Sequence, residues 1–450
     1  MHTDRTFMDS MYRTILVVAG LLFALQAQAR IDIQHWQTST GTDVYFVENH
    51  DLPIIDISTN FAAGSARDTT AKASLAALTR HVMTLGAGGM SDEEISQKLA
   101  DVGAILGGEF DADRAGFSLR TLSSQQEREQ ALDIYTIIMH QPDFPAPILE
   151  REKARVIAGL KEAMTRPAAI ASKAFMTTLY GDHPYALQER SDPQTVAGIQ
   201  REDLQQFYSA YYGAKNATIA MIGDMSRSQA EQIAERISSG LPQAEDVPEL
   251  PKVQDRGQAQ IVRIPHPASQ SHILLGYPGV YRGDPDYFPL YVGNYILGGG
   301  GFVSRLTEEV RENRGLAYSV YSYFMPMAQR GPFQLGLQTK REQTDEALKV
   351  VRETLDKFVR EGVTAEELKA AKQNIIGGFP LRIDSNAKIL DYLAVIGFYK
   401  LPLDYLDNFN KQVDSVTTAQ IKDAFTRRLK TDSMLTVIVG GESQPAAASQ

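Results

Sequence analysis

The chain reads twice, and any fold proposed for it has to be built twice. Asp56-Ile57-Ser58-Thr59-Asn60-Phe61 is echoed by His272-Ile273-Leu274-Leu275-Gly276-Tyr277. Gly116-Phe117-Ser118-Leu119-Arg120 is echoed by Pro332-Phe333-Gln334-Leu335-Gly336. Ala217-Thr218-Ile219-Ala220-Met221-Ile222-Gly223 is echoed by Met434-Leu435-Thr436-Val437-Ile438-Val439-Gly440. The offset holds at about 216 residues throughout, as duplicated domains require. Between the copies, residues 241–258 are rich in Pro, Gln and acidic side chains and lack apolar periodicity, so they read as an interdomain linker. The expected domains are 30–240 and 259–441, followed by a tail at 442–450.

Within each copy the order of elements is the same. Asp43–Val47 and Ile54–Ile57 alternate as strands. Gln125–His140, Thr344–Val359, Pro145–Met164 and Ala365–Gly378 show the helical period. Strand runs followed by helix runs imply the α+β class: two homologous domains, each a mostly antiparallel sheet with helices packed on one side. A hydrophobic content of 43% is enough to fill two large cores. There is no cysteine, hence no disulfide framework. The net charge of −10 argues against nucleic acid and against adhesion to anionic membrane.

The first residues have the layout of an export signal. Met11-Tyr12-Arg13-Thr14 precedes an apolar run from Ile15 to Leu25, and Ala27-Gln28-Ala29 ends it. The run is shorter than the roughly 20 residues a bilayer span needs. Cleavage after Ala29 leaves a soluble, periplasmic chain as the expectation. Asp4 and Asp9 suit such a signal poorly, which makes Met8 or Met11 alternative starts.

Two motifs then carry the chemistry. Gly64-Ser65-Ala66-Arg67-Asp68 leads into Ala77-Leu78-Thr79-Arg80-His81. This resembles the opening of the pitrilysin/insulinase family of zinc peptidases, where a G-S-x-x-[DE] turn precedes a helix carrying H-x-x-E-H. In that motif two histidines one turn apart share a Zn²⁺, and the glutamate acts as general base. Aligned on His81, the first ligand position is Ala77, which has no donor. The base position is Arg80, which cannot accept a proton. The resemblance places the third ligand in Glu150-Arg151-Glu152-Lys153-Ala154-Arg155-Val156-Ile157-Ala158-Gly159, at Gly159. A register slip would bring in Glu150, Glu152 or Glu162, all of which read as a solvated helix face. His81 by itself reads as a core or surface histidine. No catalytic residue and no metal ligand is therefore expected in this chain.

The second copy keeps its motif. Leu297-Gly298-Gly299-Gly300-Gly301-Phe302, Ser304-Arg305-Leu306 and Arg311-Glu312-Asn313-Arg314-Gly315-Leu316-Ala317-Tyr318 resemble the family's G…SRL…R-E-x-x-G-L-A-Y signature. The resemblance makes Arg311 and Tyr318 binders of the substrate next to its scissile bond. Read bottom-up, Arg311 is a helix-surface ion-pair residue and Tyr318 a strand-core aromatic on the face of Val320 and Ser322. The glycines are not a phosphate loop, because no Gly-Lys-Ser/Thr follows. They read either as a peptide-touching stretch, as the resemblance implies for zinc-free subunits, or as a flexible turn.

The resemblance thus implies a zinc-free subunit that binds peptide or unfolded polypeptide. A homologous partner with intact H-x-x-E-H would supply the Zn and the hydrolysis. A purely structural subunit, or a non-enzymatic periplasmic peptide-binding module, are the alternatives.

Overall fold

The computed structural model describes residues 31–440. The segment expected to be an export signal, 1–29, and the expected tail, 442–450, lie outside the described residues. The first half contains β1 (Gln34–Gln37), β2 (Asp43–Glu48), β3 (Ile54–Phe61), the small hairpin β4 (Gly86–Ala87) and β5 (Met90–Ser91), β6 (Ile105–Gly107), β7 (Ala115–Leu122) and β8 (Ala217–Gly223). The second half contains β9 (Gln260–Ile264), β10 (Gln270–Pro278), β11 (Ala317–Phe324), β12 (Pro332–Lys340) and β13 (Leu435–Val439).

The six-stranded sheet runs β1-β2-β8-β3-β7-β6 and the five-stranded sheet β9-β13-β10-β12-β11. Without β1 the two orders superpose element by element. Each has one parallel pair, β2 with β8 and β9 with β13, and is otherwise antiparallel. The α+β reading with two homologous sheets is correct.

Each sheet carries its own long helices on one face. The helix Thr344–Glu361 shows why: Ala347, Leu348, Val351, Leu355 and Phe358 form one buried stripe at helical spacing. The opposite face is covered by a helix from the other half. Asn386–Phe398 of the second half lies on β2, β3 and β8, and Pro167–Tyr180 of the first half lies on β10 and β13. Burial on both faces explains why every residue of β8 and β13 is buried. The close approach needs glycine where ring meets strand. A Cβ at Gly276 would sit 2.3 Å from the Phe175 ring, and one at Gly397 2.7 Å from the Tyr45 ring.

Polar contacts reinforce the junction. Asp113, buried in the first half, accepts hydrogen bonds from Tyr185 (2.8 Å), from Tyr399 of the second half (2.9 Å) and from the Ala328 N–H (2.8 Å). Segment 241–259 has neither helix nor strand, yet it is tethered. Arg67 donates to the Pro248 carbonyl (2.8 Å), Arg330 to that of Val253 (2.7 Å) and Arg256 to that of Thr178 (3.0 Å).

Candidate functional site: an emptied metal centre and an arginine held between rings

The helix Leu75–Met83 is set by the turn before it. A Cβ at Gly64 would fall 2.4 Å from the Ala112 carbonyl oxygen, so only glycine fits where that turn crosses the chain. Asp68 then accepts from the N–H groups of Ser74 (2.9 Å) and Ala76 (2.7 Å), capping the helix from six to eight residues upstream. Ala77 is half-buried and offers no donor atom. Arg80 turns away towards the sheet edge. Its Nε donates to the Gly116 carbonyl (3.1 Å), its Nη2 to that of Gly107 (3.2 Å), and its Cζ lies 5.4 Å from the Phe117 ring centroid.

His81 meets the helix Ala146–Ala163, and here one sequence expectation fails. Glu152 is not on a solvated face: it is 4% exposed, with Oε2 3.1 Å from His81 Nε2. Leu149, Glu152 and Val156 follow one another at three- and four-residue steps on the face turned to the core. That apolar stripe was the overlooked signal. Glu150 and Glu162 are exposed, as expected. Nothing in the sequence singles out Arg155, yet its Nη2 stands 2.7 Å from His81 Nε2 and 2.6 Å from Glu152 Oε2, while Arg151 holds Glu152 Oε1 at 3.0 Å.

These contacts decide the protonation. Burial first, and the charges of Arg155 and Arg80 after it, pull His81 below the ordinary histidine value against the upward pull of Glu152. His81 Nε2 is shared between the Arg155 guanidinium and the Glu152 carboxylate, and in the neutral tautomer that accepts from Arg155 the lone pair a zinc ion would use is taken. Gly159, two helical turns beyond Glu152, faces open space, since a Cβ there meets nothing within 4 Å. With Ala77 lacking a donor, Gly159 lacking a side chain and His81 tied to an arginine, the residues present do not fit zinc. Among the described residues no group of three or more His, Cys, Asp or Glu side chains is placed to hold a metal ion.

The second half brings Arg311, Tyr318 and Phe302 together beside a sheet edge. β11 is the terminal strand of its sheet, and its outer edge pairs with no strand among the described residues. A bulge between Ala317 and Val320 places two residues, Tyr318 and Ser319, against one on β12. The extra residue reverses the facing upstream of it. Val320 and Ser322 point into the core, whereas Tyr318 is 84% exposed, so it is not a core aromatic. Arg311 lies between two rings, with Cζ 5.0 Å from the Tyr318 centroid and 4.9 Å from that of exposed Phe302. Its Nε also stands 3.3 Å from Glu312, so the ion-pair reading holds for this neighbour.

The four glycines have separate jobs. A Cβ on Gly298 would sit 2.4 Å from Ser322 Oγ, on Gly299 2.8 Å from Asn294 Nδ2, and on Gly300 2.7 Å from the Tyr295 carbonyl oxygen. Gly301 alone takes a left-handed φ, +63°, and has open space around it. Asn294 and Ser322 clamp this packing with bonds of 2.9 and 2.7 Å. Three of the four are thus packing glycines. Among the described residues no hydrogen bond or ion pair links the Arg311 group to the His81 group.

A duplicated α+β chain whose peptidase-type helix keeps one histidine, His81, and lacks its partner ligand points to a class of zinc-peptidase relatives. Comparison places the chain within it. Residues 45–191 match the model of the insulinase family, peptidase family M16, and residues 198–375 match the model described as the peptidase M16 inactive domain. The crystal structure of a peptidase M16 inactive domain from Pseudomonas fluorescens superposes with a TM-score of 0.89 at 38% identity, covering 92% of this chain and all of that one. The chain belongs to the M16 family. It is 23% identical over 435 residues to a non-peptidase homolog, YmxG, of Helicobacter pylori, covering 96% of this chain and 98% of that protein. It is 24% identical over 362 residues to an uncharacterized zinc protease, YmxG, of Bacillus subtilis, covering 79% and 86%.

Proposed function

We propose that this chain is the non-catalytic, peptide-holding subunit of a two-chain exported peptidase, whose homologous partner carries the H-x-x-E-H helix and the zinc. The arginine held between Tyr318 and Phe302 beside an open strand edge carries this reading. Two rings within 5.0 Å restrict the guanidinium, and with Nε beside Glu312 its Nη groups are the donors offered to a peptide carbonyl or a carboxylate. An extended peptide can pair its backbone with the free edge of β11, which satisfies its main chain and asks little of its side chains. Tyr318, exposed next to Arg311, supplies a hydroxyl that donates to the carbonyl as charge develops there. Residues 1–29, with their export-signal layout, support a periplasmic setting.

The test is kinetic, on the reconstituted pair. Tyr318→Phe is expected to lower kcat by about 10²-fold if the hydroxyl meets the developing oxyanion. Arg311→Ala is expected to raise KM by about 10-fold or more through loss of a charged hydrogen bond. Unchanged turnover in both variants would assign the chain a purely structural role. Chelator-sensitive cleavage by the isolated chain would overturn the division of labour itself.

A further inference from the structure

The second half carries a partly open cavity of about 260 Å³ that shares no residue with either group described above. It lies where the turn before the helix Tyr287–Asn294 meets Pro326 and the segment from Leu401 to Gln412. Tyr287, Phe288 and Tyr405 form much of its wall.

One cation enters this wall. The Arg282 guanidinium lies 5.2 Å from the Tyr399 ring centroid, and its Nε is shut off from solvent without a hydrogen-bond partner. Among the described residues no ion pair ties it. The carboxylates of its own turn are engaged elsewhere: Arg428 takes both oxygens of Asp284 (2.6 and 2.8 Å), and Arg427 those of Asp286 (2.7 and 2.9 Å). A half-buried guanidinium that no carboxylate neutralises is costly, and an anion in the cavity that Arg282 lines would offset that cost.

Two further donors converge there. The hydroxyls of Tyr287 and Tyr405 stand within hydrogen-bonding reach of each other, and both feel the Arg282 charge. Burial raises both phenols, keeping them protonated and able to donate. Asp404 at the rim, occupied by Asn408 (2.6 Å), disfavours a dianion such as a phosphate monoester. A carboxylate is the anion that fits.

We propose that this cavity binds a carboxylate carried on an apolar or aromatic body, with Arg282 as counter-ion and Tyr405 as second donor. The carboxylate is either the C-terminus of a polypeptide ending in an apolar residue or a small free acid. The inference stands independently of the peptide-holding role above.

Calorimetry on the whole chain tests it with four probes: N-acetyl-phenylalanine, its amide, a ten-residue peptide ending in phenylalanine, and that peptide amidated. At least one acid is expected to bind about 10-fold or more tightly than its amide, the value of a charged hydrogen bond. A tighter peptide acid assigns the site to chain termini; a tighter small acid assigns it to free acids. Arg282→Gln should abolish the difference between acid and amide, and Tyr405→Phe should weaken the acid severalfold. If Arg282→Gln melts early, Tyr405→Phe and the amides still decide. Equal affinity of acids and amides, no binding at millimolar concentration, or wild-type affinity in a folded Arg282→Gln protein would overturn the proposal.

Discussion

At the scale of single residues, Gly298 and Gly159 play opposite parts, and substitution separates them. The site that a Cβ would occupy at Gly298 is already filled by Ser322 and Leu306. Gly298→Ala is therefore expected to cost about 1–3 kcal/mol through overpacking. Gly159 sits inside a helix with open space beside it, so Gly159→Ala should add about 0.5–1 kcal/mol of stability. Urea denaturation of both variants measures the pair, and equal effects would refute the packing account. His81 makes a second prediction. Its value is pulled below the ordinary 6.5, so the folded state takes up its proton less readily than the unfolded chain. Stability from this group is present above pH 6.5 and is lost as pH falls through the folded value. Arg155→Ala leaves Glu152 as the ring's strongest neighbour. That should raise the His81 value and shrink this acid-side loss, as followed by histidine NMR titration together with urea midpoints at pH 7.5 and 5.5. An unchanged titration would mean that Arg155 does not occupy Nε2.

At the scale of elements, what the sequence shows depends on whether a signal is periodic. Gln125–His140 and Ala365–Gly378 appear in the structure with the expected bounds, and Thr344–Glu361 runs two residues longer than expected, because an apolar stripe at helical spacing is local information. The β11 bulge is not local. Whether Tyr318 faces core or solvent depends on one residue's excess over β12, which alternation within β11 cannot reveal. Glu152 is hidden for a different reason: a charged residue on an apolar stripe looks like an exception until His81, Arg151 and Arg155 are seen around it. Elements are also joined by charge. Asp286, next to the helix Tyr287–Asn294, holds Arg427 and Arg428 of the helix Thr418–Arg428, and these arginines pull its carboxyl down to about 2. Its contribution is present above the ordinary 3.8 and is lost as pH falls towards 2. Asp286→Asn should remove part of the acid transition and cost about 1 kcal/mol at pH 7, the low figure reflecting the exposure of Arg427. An acid titration of unfolding free energy, with the variant beside the wild type, checks both parts.

At the scale of the whole molecule, the exchanged helices decide how the chain holds together. The repeat announced two homologous sheets, but nothing in it said that each would be roofed by a helix of the other half. One hint was present: Asn386–Phe398 is apolar around most of its circumference, as a helix packed on both sides must be. Which sheet it would meet depends on long-range geometry that its own residues do not encode. The exchange has a thermodynamic consequence. If each half had a private core joined only by a linker, the halves would unfold separately. Here Phe175, fully buried, contributes to a cluster with Leu274, Leu435, Val437 and Val439 of the other half, and Tyr45 and Ala220 belong to a cluster with Leu390 and Leu393. Neither sheet can lose its partner without exposing one apolar face, so calorimetry should give one cooperative transition for both halves. Phe175→Ala removes the ring that Gly276 accommodates and should cost about 3–5 kcal/mol. The loss should appear equally in the fluorescence of Trp36, the chain's single tryptophan, in the first half, and in amide exchange along β12 and β13 in the second. Two separate transitions, or a Phe175→Ala chain whose first half melts at the wild-type temperature while its second half melts early, would show that the halves are independent and that the exchanged helices are a veneer.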